Sequence, residues 1–239
     1  MSADVITVYG HDLVDEVMGR WSFAELTYAA ITGGQRPLPG HARMLDVLLT
    51  TFVDHGVTPS SLATRLTVLG APEAMQAAIA AGLCGAGSRY LGTMQQAGEL
   101  LVASLAAGTD SSPAGLRTLA RAVVERYRGE RRQIPGLGHP EHKNGDPRTP
   151  KLLAIARETG VAGAHCALLG EIGTAFGEMT GRVLPVNAAG LAGAIVVDMG
   201  LPPEAARGLA VMSRAAGLVG VALSEMREPT AQAIWDSLR

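Results

Sequence analysis

Apolar positions recur along the chain with the period of a helix, and roughly every 15 to 25 residues capping residues, glycine or proline interrupt them. Met44, Leu45, Leu48, Leu49, Phe52 and Val53 form one such stripe, predicted to end near His55 and Gly56. Ser22 and Glu25 have the spacing of a capping box ahead of an apolar run that stops at Gly33 and Gly34. Pro37 and Pro39 mark a loop. Thr58-Pro59, Ser112-Pro113 and Thr149-Pro150 each read as an N-cap followed by proline in the first helical position. Further helices are predicted over 73–84, 94–107, 113–128, 150–159, 162–178, 189–199 and 203–226, with a short one closing the chain. Val183 to Asn187 reads as a brief extended link. Alternation with period two is nowhere long enough to build a sheet, so the fold class is all-α. The longest irregular segment runs from Gly129 to Arg148, and a loop of that length inside a domain is usually functional.

Composition supports helix on helix. Apolar residues make up 47% of the chain and aromatics 4%, and small side chains let helices approach closely. The net charge of −2, from 20 basic and 22 acidic residues, argues against nucleic acid as a partner. Two cysteines, Cys84 and Cys166, read as reduced core thiols of a cytoplasmic protein. The N-terminus has no basic start followed by an apolar core, so no secretion signal is expected. Apolar windows such as Ala77 to Gly87 are too short to span a membrane.

The chemistry concentrates between Ile134 and Arg148. Gly136 and Gly138 let backbone amides approach a phosphate or carbonyl, and His139 follows at once with a side chain that exchanges protons near neutral pH. Lys143 and Arg148 offer positive charge to an anionic ligand, and Arg148 can grip a carboxylate with two parallel bonds. Asp146-Pro147 reads as a turn setting up the next helix. A solvated loop with incidental charges accounts for these residues about as well. His139 and His142 with Pro140 between them make a poor metal pair, and no metal is expected. His55 is explained as a histidine at a helix C-terminus, and His165 as a satisfied residue on an apolar helix. The arginines from Arg121 to Arg132 read as a solvated helix face, or as help for an anionic cofactor. Arg214, on an apolar helix, reads as a structural ion pair or as a carboxylate clamp.

The order of motifs resembles the citrate synthase superfamily. Gly-x-Gly-His at 136–139, Lys143 and Asp146-Pro147-Arg148 resemble the catalytic loop of citrate synthases, citryl-CoA lyases and the C-terminal part of ATP-citrate lyase. The segments 23–33, 45–65, 184–190 and 213–220 resemble other family segments in the same order. The resemblance implies a large helical lobe of 1–95 with 206–239, a smaller inserted helical lobe of 96–205, and a homodimer. It implies that His139 handles the proton on the oxygen of the substrate's central carbon. His55, Arg148 and Arg214 would bind substrate oxygens and carboxylates, and Gly136, Leu137, Gly138, Lys143 and Asn187 would lie along a coenzyme A thioester. Tyr90 stands where synthases carry a histidine that the lyases lack, so the lyase branch is favoured. Ala189 stands where the family has its catalytic aspartate. The expected activity is cleavage of citryl-CoA or a related hydroxyacyl-CoA to an acyl-CoA and a 2-oxo acid, without metal or ATP. The alternatives are a non-catalytic binder of CoA esters and a partner subunit of a lyase complex.

Overall fold

The structure, a computed structural model, describes residues 5–108, 110–139, 142 and 144–237. A two-residue hairpin, β1 (Thr7–Val8) with β2 (His11–Asp12), precedes a π-helical turn at Leu13–Val17. Eleven α-helices follow among the described residues: α1 (Phe23–Thr32), α2 (Pro39–Thr51), α3 (Pro59–Gly70), α4 (Met75–Cys84), α5 (Ser88–Ala107), α6 (Pro113–Gly129), α7 (Arg148–Glu158), α8 (Ala164–Thr180), α9 (Ala188–Asp198), α10 (Pro203–Arg227) and α11 (Ala231–Asp236). The all-α class holds.

Local capping decides most of these starts. The Ser22 hydroxyl accepts the Glu25 amide and the Glu25 carboxylate accepts the Ser22 amide, so the predicted box opens α1. Thr58 and Ser61 do the same for α3, and Ser112 caps α6. Four expectations fail. Pro39 opens α2 rather than lying in a loop. His55 lies beyond α2, which ends at Thr51, because the Asp54 carboxylate takes the Gly56 amide and turns the chain out of the helix. Helix α5 begins at Ser88, six residues before the predicted 94. Thr149 does not cap α7, which starts at Arg148; the Thr149 hydroxyl donates instead to the Val186 carbonyl.

The chain divides into two compact units, Met1–Leu48 with Met94–Ala206 and Leu49–Thr93 with Arg207–Arg239. The first unit takes in α2 as far as Leu48, where Arg43 pairs with Glu158 and Gly40 backs onto the Thr159 carbonyl.

In the first unit α9 is the central helix, apolar on all sides and buried from Ala188 to Val197 except at Ala189. It packs against α7 and α8. Gly193 lets α5 close on it, since a Cβ there would strike the Met94 carbonyl. Asp198, at its far end, accepts the amides of Gly163, His165 and Cys166 and the His165 ring, so it caps α8. The expected core thiol Cys166 is buried, whereas Cys84 is exposed at the last residue of α4.

In the second unit α3 lies on α4 and α11. Val68, Ala78 and Ala222 form a buried cluster. Helix α10, at 25 residues, is long and apolar enough to cross a membrane by length and composition, which the shorter windows did not suggest. It also buries Arg214 and Glu225, charges that belong to a helix packed in protein.

Glu225 makes the strongest polar tie of this unit. Its side chain is 2% exposed and accepts from Arg65, from the Thr230 hydroxyl and from the amides of Thr230 and Ala231. Burial pushes its carboxyl up; the bonds outweigh that and hold it at about 2. A depressed carboxylate stabilises the fold above its ordinary value of 4.5 and loses that contribution as pH falls toward 2. Glu225→Gln is expected to cost about 3 kcal/mol at pH 7. Urea unfolding from pH 7 down to 2.5 should show the variant losing less stability across the acid window than the wild type.

Candidate active site

The loop after α6 is fixed to the start of α9 by its backbone. The Gly138 amide donates to Pro185 O at 2.8 Å and the Asn187 amide to Gly136 O at 2.9 Å, with half-buried Leu137 opposite Val186. Gly136 and Gly138 have φ of +91° and +74°, a region that favours glycine. Gly136 also has to be bare, because a Cβ there would come within 2.9 Å of Gly190 Cα. Asn187 closes the arrangement as the N-cap of α9. Its Nδ2 donates to Gly138 O at 2.6 Å and its Oδ1 accepts the Gly190 amide at 2.8 Å. Both ends of the amide therefore hold the loop.

Asp146 supplies the other anchor. It is 3% exposed and accepts the Ala188 amide at 3.0 Å, the Arg148 amide at 3.0 Å, and Arg148 Nε and Nη2 at 2.9 and 2.8 Å. Burial alone would raise its carboxyl; the bonds from Arg148 and Ala188 and the arginine's charge overcome it and hold the group at about 2. Asp146 is thus the acceptor that starts α7, through the Arg148 amide, and the pairing edge that fixes the Arg148 guanidinium.

His139 is half-buried, and its Nδ1 accepts the His142 amide at 3.1 Å, with the two rings 4.5 Å apart. Ala189 sits half-buried in the first turn of α9, between Ala188, whose amide goes to Asp146, and Gly190, whose amide goes to Asn187. Asp198, a candidate stand-in for a missing acid at 189, lies nine residues further along α9, roughly 13 Å by helical rise. Its carboxylate is committed to capping α8. Lys143 and Glu141 lie outside the described residues.

The second unit holds Tyr90, His55 and Arg214. Tyr90 is 51% exposed in the first turn of α5, with the Arg89 guanidinium 5.9 Å from its ring centre. His55 is exposed in the turn after α2. Arg214 is 6% exposed, and its Nε has no hydrogen-bond partner among the described residues. Burial lowers its proton affinity and the charge of Asp54 opposes that. A buried donor without a partner is costly. Its neighbour Ser213 is tied to Leu49 O, and Gly217 lets Val53 O approach, so the Arg214 turn of α10 is pressed against 49–53. An open hollow of about 530 Å³ beside Leu66, Leu69 and Trp235 contains none of these residues.

The arginine run is a solvated face. Arg121 pairs with Glu178 and Arg128 donates to Met179 O, which fastens α6 to the end of α8, while Arg132 pairs locally with Glu130. Among the described residues no group of three or more His, Cys, Asp or Glu is placed to hold a metal.

The family model for the citrate synthase C-terminal domain matches residues 6–235. No curated protein matches the chain. A solved citryl-CoA lyase from Hydrogenobacter thermophilus is similar over 92% of this chain and 82% of its own, with 28% identity and a TM-score of 0.83. An ATP citrate lyase from Methanothrix soehngenii, in complex with citrate and coenzyme A, is 18% identical over 95% of this chain and 38% of its own, with a TM-score of 0.80. A citrate synthase from Thermoplasma acidophilum, in a ternary complex with carboxymethyl coenzyme A and oxaloacetate, is 19% identical over 87% of this chain and 54% of its own, with a TM-score of 0.66.

Removing Asp146 leaves the half-buried Arg148 guanidinium and the buried Ala188 amide without their acceptor. Asp146→Ala is expected to cost about 2–3 kcal/mol, chiefly the lost charge-assisted bonds and the stranded amide. Urea unfolding at pH 7 measures it.

Proposed function

Because the chain belongs to the citrate synthase C-terminal domain family, we propose that it is a citryl-CoA lyase-like enzyme. It cleaves citryl-CoA or a related hydroxyacyl-CoA to an acyl-CoA and a 2-oxo acid. The observation that carries the reading is the Arg148 guanidinium, held edge-on by buried Asp146, beside a glycine loop that ends in His139 and is locked to α9. The likeness to a citryl-CoA lyase over most of both chains supports the branch. The bound citrate, oxaloacetate and coenzyme A species of the other two relatives support the ligand class, a CoA ester and a di- or tricarboxylate.

In this reading cleavage breaks the bond between the hydroxyl-bearing carbon and the α-carbon of the thioester. The hydroxyl oxygen loses its proton and becomes the carbonyl of the 2-oxo acid, while the electron pair passes to the thioester enolate, whose carbon is then protonated. His139 takes that hydroxyl proton, and with alanine at 189 the enolate carbon takes its proton from solvent water. Arg148 binds a carboxylate through the guanidinium that Asp146 orients. Arg214 and His55 are assigned to the remaining carboxylates and oxygens; a buried arginine with an unused Nε has the chemistry for that role. Gly136, Leu137, Gly138 and Lys143 are assigned to the thioester, with Asn187 acting through the loop it holds. Tyr90 is assigned as a donor to the thioester oxygen. The protein works as a cytoplasmic homodimer.

Ala189 favours a second reading. A methyl group neither gives nor takes a proton, so a chain with alanine there also fits a binder of CoA esters that does not turn them over.

Citryl-CoA cleavage, followed by oxaloacetate release coupled to malate dehydrogenase, separates the two. Ala189→Asp is expected to cleave ~10²–10⁴-fold faster than the wild type, the usual contribution of an acid–base group. An aspartate in the first turn of a helix is favourable, by ~0.3–1 kcal/mol, so the variant should fold. Cleavage by neither chain, with coenzyme A bound by both, would overturn the lyase reading and leave the binder.

A further inference from the structure

The N-terminal hairpin turns at Tyr9-Gly10, a two-residue connection with φ of +49° and +86°, both in the left-handed region that so tight a turn requires. The turn sets His11 opposite Val8. The next residue, Asp12, accepts the Val14 and Asp15 amides and starts the π-helical turn that carries Glu16. Glu16 Oε1 lies 2.7 Å from His11 Nδ1, and Gly34 O, just beyond α1, lies 2.7 Å from His11 Nε2. The hairpin meets Gly34 a second time, since a Cβ there would strike the Tyr9 carbonyl.

An ionised carboxylate and a peptide carbonyl can only accept. Neutral imidazole has one N–H, so it serves one of these oxygens and turns a lone pair on the other; imidazolium serves both. Among the described residues the charges facing the ring come from two elements. Glu16, in the π-helical turn, favours the added proton, and Arg36, in the segment after α1, opposes it. The Arg36 guanidinium lies over the Trp21 ring, 4.7 Å from its centre, and Trp21 lies 4.6 Å from the imidazole. The Gly34 carbonyl first, and the Glu16 carboxylate next, hold the ring's proton affinity above its ordinary value of 6.5. The side chain is 21% exposed, so solvent protons reach it.

We propose that His11 is a proton-operated clasp: as imidazolium it bridges Glu16 and the Gly34 carbonyl and holds the hairpin and π-helical turn against the end of α1. The bridge needs both bonds, so loss of one proton cuts it whichever nitrogen lets go. A group whose folded value is raised contributes fully below its ordinary value and loses that contribution as pH rises through the raised one. The clasp is therefore closed below pH 6.5 and opens on the alkaline side.

Ring-nitrogen NMR of the ¹⁵N-labelled chain reads the proton, with His11 assigned by the signals missing from His11→Phe. Expected at pH 6.5 is a ring more than half protonated, with a midpoint that falls in Glu16→Gln. Amide hydrogen exchange over residues 5–21, corrected for the intrinsic rate, reads the clasp. Protection in the wild type should fall roughly two- to ten-fold between about pH 5.5 and 8.5, the effect of one net hydrogen bond. His11→Phe keeps a ring beside Trp21 but has no donor, and should stay at the lower level throughout. A wild-type His11 mostly neutral at pH 6.5 would overturn the proposal without any variant. So would a midpoint unmoved in Glu16→Gln, protection that ignores pH, or protection that changes alike in His11→Phe. The clasp does not rest on the lyase reading, and a failure to cleave citryl-CoA leaves it standing.

Discussion

The carboxylate of Asp146 is the interaction on which the site depends. It is almost wholly withdrawn from water, and that is tolerable only because every direction it faces holds a donor. Two of those donors are on the Arg148 guanidinium, one is the Arg148 amide that begins α7, and one is the Ala188 amide that begins α9. A single negative charge therefore sets the start of two helices and the orientation of the site's arginine. Any rearrangement of one disturbs the other two, which gives the site rigidity.

Helix α9 turns that local order into a feature of the whole unit. Its apolar surface is buried along nearly its full length, and its ends are tied by two different carboxylates, Asp146 at the first residue and Asp198 at the last. The close approaches at Gly136–Gly190 and at Gly193 mean that the loop and α5 rest on its backbone rather than on side chains. Contacts of that kind leave little slack, so the position of Ala189 is set by the core and not by a mobile loop.

How much of this the sequence disclosed follows from how local each cause is. The caps at Ser22, Thr58 and Ser112 act within four residues, and those helices start where expected. At α7 the N-cap is Pro147 and not Thr149, and Asp146 is engaged by the Ala188 amide, 42 positions away, a partner no local pattern names. Gly92 inside α5 weakens the helical signal by about 1 kcal/mol, which hid its first turns. In the site, His139 and the two glycines stood out by residue type in a long irregular segment that a solvated loop explained about as well, and Asn187 came from the family resemblance alone. Asp146 passed for a turn residue, since burial is invisible in a sequence.

The capping network at the far end of α9 also determines how the protein meets thiol reagents. Cys166 lies inside it, and burial together with the nearby Asp198 charge pushes its thiol far up, so almost no thiolate forms. Cys84 stands in solvent at the end of α4. The folded chain thus offers a single alkylatable sulfur, and unmasking of the second becomes a gauge of when the α8–α9 junction opens. A maleimide dye needs no mutation to find its place: the native sequence already carries one reporter on the surface and one sealed witness in the core.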